Sequence, residues 1–425
     1  MKLFLLLAVV ASAAFGQSEN SYDDLFEDAS LRIDYAHAGD ARSEAFYLEA
    51  LKREPYWGGS KKRLVEPFDY GKQRVELRLA ETDSLLFAKN YSTLFSEWRT
   101  TAEAKQIPES YPEAVTTPFP KVPVRVVFYS RDTTRQFQER LSFFLEPDHM
   151  FISDEMNVVA PSFEAHKSGD PAVKADIVIV PEGYAADEME TFKADAIKFA
   201  GVLFRCSPFK ERRDDFNVWG VLAPSEESGV DNPGKGEWRN TLMNASYHTF
   251  GMERYLMTRD YQAVRDVAAN APYDFIYILA NSKKYGGGSI YGFYSMCVRE
   301  NVAEEYIFVH EFGHGFAFLA DEYYDSHTTY EDFYPPGREP LEPNITTLVD
   351  FDSKWASMVS EGTPIPTPPT EEWIDSVGAF EGGGYVARGV FRPTYDCTMK
   401  STTFDNFCPV CRRAIETMID YYAEE

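Results

Sequence analysis

The stretch that most constrains the fold is FVHEFGHGFAFLADEYY, residues 308–324. Its two histidines, His310 and His314, are four positions apart, which places them on one face of an α-helix, and Glu311 follows the first. The flanking residues are apolar, so the helix is expected to be buried. A charged glutamate between two histidines is costly in an apolar core unless something pairs with it. The segment therefore predicts a buried helix that carries a metal site.

The spacing His310-Glu311-Phe312-Gly313-His314 is the HExxH motif, in which two imidazoles bind zinc and the glutamate acts as a general base. Zinc lowers the pKa of bound water towards neutrality. Glu311 can then take a proton from that water and later give it to the leaving amine. The motif predicts hydrolysis that depends on Zn²⁺.

The third metal ligand is expected just beyond the motif. In an uninterrupted helix Asp321 would lie about 10 Å beyond His314, too far to share one ion. The chain must therefore turn back within residues 315–320, so that a carboxylate reaches the metal. Asp321 is the first choice and Glu322 the alternative, because either side chain is an acceptable oxygen ligand for zinc.

The length of 425 residues predicts two domains, and the net charge of −26 argues against nucleic acid as a partner. Residues 1–17, MKLFLLLAVVASAAFGQ, are typical of a cleavable signal peptide. This apolar run is too short for a transmembrane anchor, and no later segment is long enough to span a bilayer. The sequence thus predicts a secreted or periplasmic protein without an anchor.

An N-terminal β domain is predicted over residues 18–160. Residues 20–60 are polar and suggest short helical or irregular pieces, whereas residues 68–152 alternate in the manner of strands. This pattern predicts an antiparallel β-sandwich. Residues 160–173 suggest a linker.

A catalytic α/β domain is predicted over residues 174–425. Strands alternate with helices here, which implies a twisted, mostly parallel sheet backed by helices, with the HExxH helix packed on it. The expected strands are 176–184, 216–224, 273–281 and 289–298, the last at an edge, and the expected helices are 187–204, 261–270, one from about 302, and one at the C-terminus.

Five cysteines follow residue 200: Cys206, Cys297, Cys397, Cys408 and Cys411. The Cys408-Pro-Val-Cys411 spacing fits a redox motif or half of a structural zinc site. A zinc site needs two further ligands, and only Cys397 is near in sequence. In an oxidising compartment a disulfide from Cys397 to one of the pair is the favoured prediction.

Several motifs together resemble the bacterial IgA-peptidase family of zinc metallopeptidases: HEFGHGFAFLADEYY, PNITT, KW, FEGGGYVARGVFRP, CTM and FCPVC. The resemblance covers residues from about 176 to the end, and the preceding β-rich region resembles that family's N-terminal domain. It implies a zincin fold and endopeptidase activity with one zinc ion. By motif position it implies that His310, His314 and Asp321 bind zinc and that Glu311 is the base.

Other site residues are less constrained by the sequence. Met399, in Cys-Thr-Met, is either a Met-turn beneath the histidines or an ordinary core methionine. Tyr385, Tyr395 and Arg392 are candidate donors to the oxyanion or the substrate. Two further residues near the metal are conceivable, His248 and His327, although a structural role is the commoner fate of a lone histidine.

A peptidase also needs a place for an extended peptide, and the predicted edge strand provides one. The leading hypothesis is a secreted zinc endopeptidase that acts on protein or peptide substrates, immunoglobulin or other host glycoproteins among them. One alternative is an exported protein- or glycan-binding module with a non-catalytic metal site. Another is a zinc amidase with a non-protein substrate.

Overall fold

The computed structural model describes residues 21–324, 334–335 and 337–423. The predicted signal peptide therefore lies outside the described residues. The first half is built almost entirely of strands. Its elements are α1 Tyr22–Leu25, β1 Phe26–Gly39, β2 Glu44–Glu54, β3 Gln73–Leu79, β4 Leu85–Tyr91, α2 Leu94–Trp98, β5 Glu109–Pro120, β6 Val124–Arg131, β7 Phe137–Leu145 and β8 Ile152–Ser153.

These strands form two four-stranded sheets, ordered β5-β1-β2-β8 and β4-β3-β6-β7. All neighbours are antiparallel except β2 and the short β8, which run parallel. Alternate residues of a strand face the same side, and Leu31 and Ile33 of one sheet join Val75 and Val126 of the other in a single buried cluster. The two sheets thus share one core.

The prediction of short helical or irregular pieces over residues 20–60 is wrong, because β1 and β2 are the main strands of this region. The error has a physical cause. Arg32 and Asp34 of β1 are buried and form an ion pair with each other, and Arg32 also binds Asp266 at 2.6 Å. Buried ion pairs made the strand appear polar in the sequence.

The second half combines helices with one large sheet. Its elements are β9 Ser162–His166, β10 Ala175–Glu182, α3 Met189–Leu203, β11 Phe216–Val221, α4 Tyr261–Ala268, β12 Phe275–Ala280, β13 Gly287–Ile290, β14 Tyr294–Val298, α5 Glu304–Ala317, β15 Phe380–Gly383, β16 Val386–Arg392 and α6 Pro409–Tyr422.

The large sheet is mixed and has the order β13-β14-β12-β10-β11-β9. Its four central strands are parallel, and the two edge strands are antiparallel to their neighbours. Every residue of β10 and β12 is buried, as expected for strands covered on both faces. Helix α5 packs beside α3, where the Phe308 and Phe199 rings lie 5.0 Å apart.

Two sequence predictions for this half need correction. Residues 160–173 are not simply a linker, because they include β9, the edge strand beside β11. The expected strand 289–298 is a hairpin in which β13 forms the edge and β14 lies inside the sheet. Gly292 at the turn has a φ of 63°, which favours glycine.

The two halves pack closely against each other. Phe95 and Trp98 of α2 are fully buried and belong to the same core cluster as the large sheet and α5. The amide of Ser92 also donates to the carbonyl of Tyr291 in the β13–β14 turn, at 2.9 Å. The first half is therefore positioned next to α5. Among the described helices, none has the length and apolar character needed to cross a bilayer.

Candidate metal centre

Helix α5 carries the HExxH motif and ends at Ala317, within the range where the sequence requires a turn. Phe318 then adopts the left-handed conformation, with a φ of 54°, a position that glycine usually takes. Its buried ring packs against Tyr291 and against Tyr70 of the first half, with ring centroids 4.9 and 5.4 Å away. This packing holds a turn that the residue type alone disfavours.

The turn brings three side chains together, those of His310, His314 and Asp321. The Nε2 atoms of the two histidines are 3.2 Å apart. Oδ1 of Asp321 lies 3.1 Å from Nε2 of His310 and 3.4 Å from Nε2 of His314. Asp321 is thus the carboxylate that the structure places beside the histidines.

The other nitrogen of each imidazole contacts a backbone carbonyl. Nδ1 of His310 lies 3.1 Å from the carbonyl oxygen of Thr398, and Nδ1 of His314 contacts that of Leu319. A carbonyl only accepts hydrogen bonds, so each Nδ1 carries the hydrogen. Each Nε2 of a neutral ring therefore presents a lone pair towards Asp321, as metal-binding histidines do.

The two Nε2 lone pairs and the Asp321 carboxylate oxygen repel one another unless a proton or a metal ion lies among them. Burial would raise the pKa of the Asp321 carboxyl, but the charge of His314 and hydrogen bonds from both histidines hold that pKa well below its usual value. Burial would lower the pKa of His314, but the charge of Asp321 outweighs it and raises that pKa to about 9. A proton therefore binds strongly here when no metal is bound.

The three donor atoms fit a metal ion. Zinc–nitrogen and zinc–oxygen bonds of 2.0–2.1 Å in a tetrahedron separate neighbouring ligand atoms by about 3.3 Å, close to the three separations of 3.1, 3.2 and 3.4 Å. Oδ1 of Asp321 is buried, and when both imidazoles are neutral no described residue donates a hydrogen bond to it. The three residues therefore offer the protein ligands of a tetrahedral site and leave its fourth position open.

Glu311 lies beside this centre, and both line a cavity of about 1080 Å³. Its side chain lies against the edge strand β13, since a Cβ added at Gly287 would come within 3.4 Å of Glu311 Cγ. Burial raises the pKa of the Glu311 carboxyl, although the two histidines act to lower it. A raised pKa suits a group that must accept and then release a proton.

The cavity has contributors that the sequence did not indicate. Its wall includes residues of the first half around α2: Lys72, Ser92, Thr93, Ser96 and Glu97. Arg254 also lines it and lies close enough to Glu311 to act on its pKa. No motif marks these residues. By contrast Tyr306, whose hydroxyl lies 3.2 Å from Nδ1 of His310, could have been found from its position one helical turn before that histidine.

Of the three residues predicted to donate to the oxyanion or the substrate, only Tyr385 lines the cavity. Its hydroxyl donates to Oδ2 of Asp321, so it orients the candidate third ligand. Tyr395 and Arg392 are not part of the cavity wall. The Arg392 guanidinium donates to the carbonyls of Glu381 and Gly382, which gives it a structural role.

Met399 is fully buried beneath α5. A Cβ added at Gly313, between the two histidines, would meet its sulfur at 3.2 Å, so the methionine lies under the helical turn that carries His310 and His314. His248 lies against Gly234 and does not line the cavity. His327 falls outside the described residues.

Glu322, the alternative third ligand, joins a different group. Its carboxylate lies with Cys397, Cys408 and Cys411, and all four residues are buried. The predicted disulfide is wrong, because all five cysteines are free. The sulfurs of Cys397 and Cys411 are 3.8 Å apart, far beyond the bond length of about 2.05 Å in a disulfide.

Comparison with known protein families gives two matches. A family described as IgA Peptidase M64 matches residues 163–376 and 370–419. A second, described as Peptidase M64 N-terminus, matches residues 21–142. No curated protein matches the chain significantly. The two family matches cover both halves of the fold, including α5 and the metal centre.

Proposed function

The chain belongs to the IgA peptidase M64 family, and from that premise we propose that it is an exported zinc endopeptidase that cleaves protein substrates. The observation that carries the proposal is the triangle of donor atoms from His310, His314 and Asp321, with sides of 3.1–3.4 Å, open to a large cavity. A purely structural metal site would be closed by a fourth protein ligand.

The metal, when bound, supplies Lewis acidity, which lowers the pKa of water and polarises a carbonyl. Zinc is proposed because imidazole and carboxylate are among its usual ligands. Glu311 takes the proton of the attacking water and returns it to the leaving amine. Arg254 of the cavity wall supplies positive charge for the developing oxyanion.

A peptide substrate is supported by the position of the sheet edge. Strand β13 is the outermost strand of the large sheet, and all four of its residues line the cavity. The carbonyl of Gly287 already accepts from the amide of Leu256 at 3.4 Å, so an extended peptide would add to the rest of this edge, residues 288–290, through main-chain hydrogen bonds. This arrangement favours peptide over the small substrate of an amidase, because an edge strand has no use in binding a compact molecule.

Export is proposed from the sequence of residues 1–17, which are typical of a cleavable signal. The family description names immunoglobulin A, so we propose a host glycoprotein of this class as the first substrate to test. The first half forms one wall of the cavity, and we propose that it helps to select among folded proteins.

The test is the Glu311→Gln variant, assayed on immunoglobulin A and on an unfolded protein mixture, with zinc measured in the same samples. Glutamine keeps the size of the side chain but cannot accept the proton, so we expect cleavage to fall on the order of 10²–10⁴-fold. Zinc content should stay unchanged, because Glu311 is not a ligand.

The matched control is Glu305→Gln on the same helix. Glu305 forms a surface ion pair with Arg205 at 2.6 Å, and such pairs contribute little. This variant should cleave at the native rate. Equal cleavage by native protein and Glu311→Gln would refute the mechanism, and cleavage of neither protein substrate by native enzyme would favour the binding module or the amidase.

A further inference from the structure

A second cluster of possible ligands lies behind the catalytic centre. It consists of Glu322, Cys397, Cys408 and Cys411, and one ligand atom from each lies within 4.8 Å of the others. The residues come from three places in the chain: the segment after α5, the loop after β16, and the N-terminal end of α6, where Cys408 is the N-cap residue and Cys411 lies in the first turn. All four are buried, so the cluster is closed to solvent.

The separations within the cluster fit a bound ion. Zinc–sulfur bonds of 2.3 Å in a tetrahedron place two sulfurs about 3.8 Å apart, and the Cys397 and Cys411 sulfurs are 3.8 Å apart. Oε1 of Glu322 lies 3.2 Å from the Cys411 sulfur. The other oxygen, Oε2, is buried and has no hydrogen-bond partner among the residues the structure describes.

Backbone amides point at the sulfurs. The amide of Cys408 donates to the Cys397 sulfur at 3.3 Å, and the amide of Cys411 donates to the Cys408 sulfur at 3.4 Å. Such bonds favour thiolates and fix their direction. Asn344 donates to Oε1 of Glu322 at 3.0 Å and orients the carboxylate.

We propose that Glu322, Cys397, Cys408 and Cys411 bind a second divalent ion, a zinc ion with a structural role. Three thiolates and one carboxylate with Zn²⁺ carry the same formal charge as the common four-cysteine site, and thiolates select zinc over harder ions. A disulfide would use only two of the four groups. It would leave one thiol beside a buried carboxylate whose Oε2 has no hydrogen-bond partner among the described residues, which is costly.

This second site supports the catalytic centre through two short connections. The amide of Glu322 donates to the carbonyl of Met399 at 2.7 Å, which ties the Asp321–Glu322 segment to the loop of Cys397. In that loop the carbonyl of Thr398 accepts from His310 Nδ1. An ion bound to Glu322 therefore fixes the position of Asp321, the preceding residue in the chain. An ion bound to Cys397 fixes the loop whose Thr398 carbonyl orients His310.

The test begins with metal content, measured by mass spectrometry on native protein after removal of loosely bound metal. We expect two zinc ions per chain. The double variant His310→Ala/His314→Ala should retain one, and after Co²⁺ substitution that site should show the intense near-ultraviolet absorption of thiolate-to-cobalt charge transfer. This variant leaves the cysteines unchanged, so the result does not depend on the fold surviving their loss.

A cysteine variant and its matched control complete the test. Cys411→Ser should lose at least the share of the charge-transfer absorption that one of three Co–S bonds contributes, whereas Cys206→Ser, which changes a buried cysteine outside the cluster, should keep all of it. A double histidine variant without any metal would overturn the proposal, as would a disulfide that involves Cys397 in the native protein. Neither result depends on peptidase activity, so the structural site can fail while the catalytic one stands.

Discussion

Asp321 and Glu322 are neighbours in the chain, yet they belong to two different clusters. The carbonyls of Asp321 and Tyr323 accept hydrogen bonds from Gly384 and Tyr385 on one side, and the amide of Glu322 donates to Met399 on the other. Backbone groups that alternate in this way are those of an extended segment, in which successive side chains point to opposite sides. One carboxylate therefore faces the cavity and the next faces the buried cysteines.

The two clusters differ in the way that catalytic and structural metal sites differ in general. The first has two imidazoles and a carboxylate and opens onto the cavity. The second has four protein ligand groups, three of them thiols, and no access to solvent. A catalytic ion needs a free position for water, whereas a structural ion is held most firmly when none is left. A single extended dipeptide can therefore supply both kinds of site.

The largest expected effect separates the two carboxylates. Asp321→Asn replaces the anionic ligand by a neutral amide, so we expect loss of the catalytic zinc and cleavage at background level, while one zinc per chain remains. Glu322→Gln should remove the other ion instead. Metal content and cleavage are measured on both variants. If Asp321→Asn kept full metal content and activity, the assignment of the third ligand would be wrong.

A chelator should distinguish the sites by rate. Dialysis against 1,10-phenanthroline should remove the ion at the open site first and abolish cleavage, and added Zn²⁺ should restore it. The thiols should stay unreactive to a thiol reagent through this first phase, because their ion is enclosed by protein. If thiol reactivity and loss of activity appear at the same time, the two sites lose their ions together, and the distinction between an open and an enclosed site is wrong.

Tyr385→Phe has a smaller expected effect. It removes the hydrogen bond to Oδ2 of Asp321, and loss of such a partner of a metal ligand typically costs roughly 10- to 100-fold in metal affinity or activity. Tyr395→Phe is the control, because Tyr395 lies outside the cavity wall. The measurement is cleavage as a function of free Zn²⁺. An equal loss in both variants would show that Tyr385 has no special connection to the metal.

Much of the α/β half could be predicted from the sequence because its elements are regular. The expected strands 176–184 and 273–281 coincide with β10 and β12, and the expected helix 187–204 coincides with α3, to within a few residues. Continuous apolar runs and helical periodicity are local signals. The turn that brings Asp321 back to the histidines could also be predicted, because the rise of an uninterrupted helix would place Asp321 too far from them.

What could not be predicted depends on contacts distant in the sequence. Strand β1 has no clear strand pattern in the sequence, because its Arg32 is buried only through partners that include Asp266 of α4. The sequence offers Glu322 only as a catalytic ligand, because nothing in the sequence indicates that it meets Cys397, Cys408 and Cys411. A disulfide and a metal site would use the same cysteines, and only the presence of Glu322 as a fourth ligand group favours the metal site. When metal ligands come from distant parts of the chain and are brought together only by tertiary structure, the sequence contains no characteristic spacing that identifies them.

The smallest expected effect concerns Met399, which lies between the two sites. Its sulfur packs under Gly313 of α5, and its carbonyl accepts from Glu322. Met399→Leu keeps nearly the same volume and all backbone contacts, so we expect a loss of about 1 kcal/mol in the free energy of unfolding. Both ions and most of the cleavage rate should remain. Met399→Ala leaves a cavity beneath the histidines and should cost roughly 2–5 kcal/mol.

Denaturant unfolding with parallel metal analysis measures the difference between these two variants. If the leucine variant keeps nearly all of the stability and cleavage that the alanine variant loses, Met399 acts by packing alone. Its side chain then keeps α5 at a fixed distance from the loop that carries Cys397. If leucine instead lowers cleavage as much as alanine while stability holds, the thioether has an electronic effect on the histidines. The two clusters would then be coupled through this side chain as well as through the backbone.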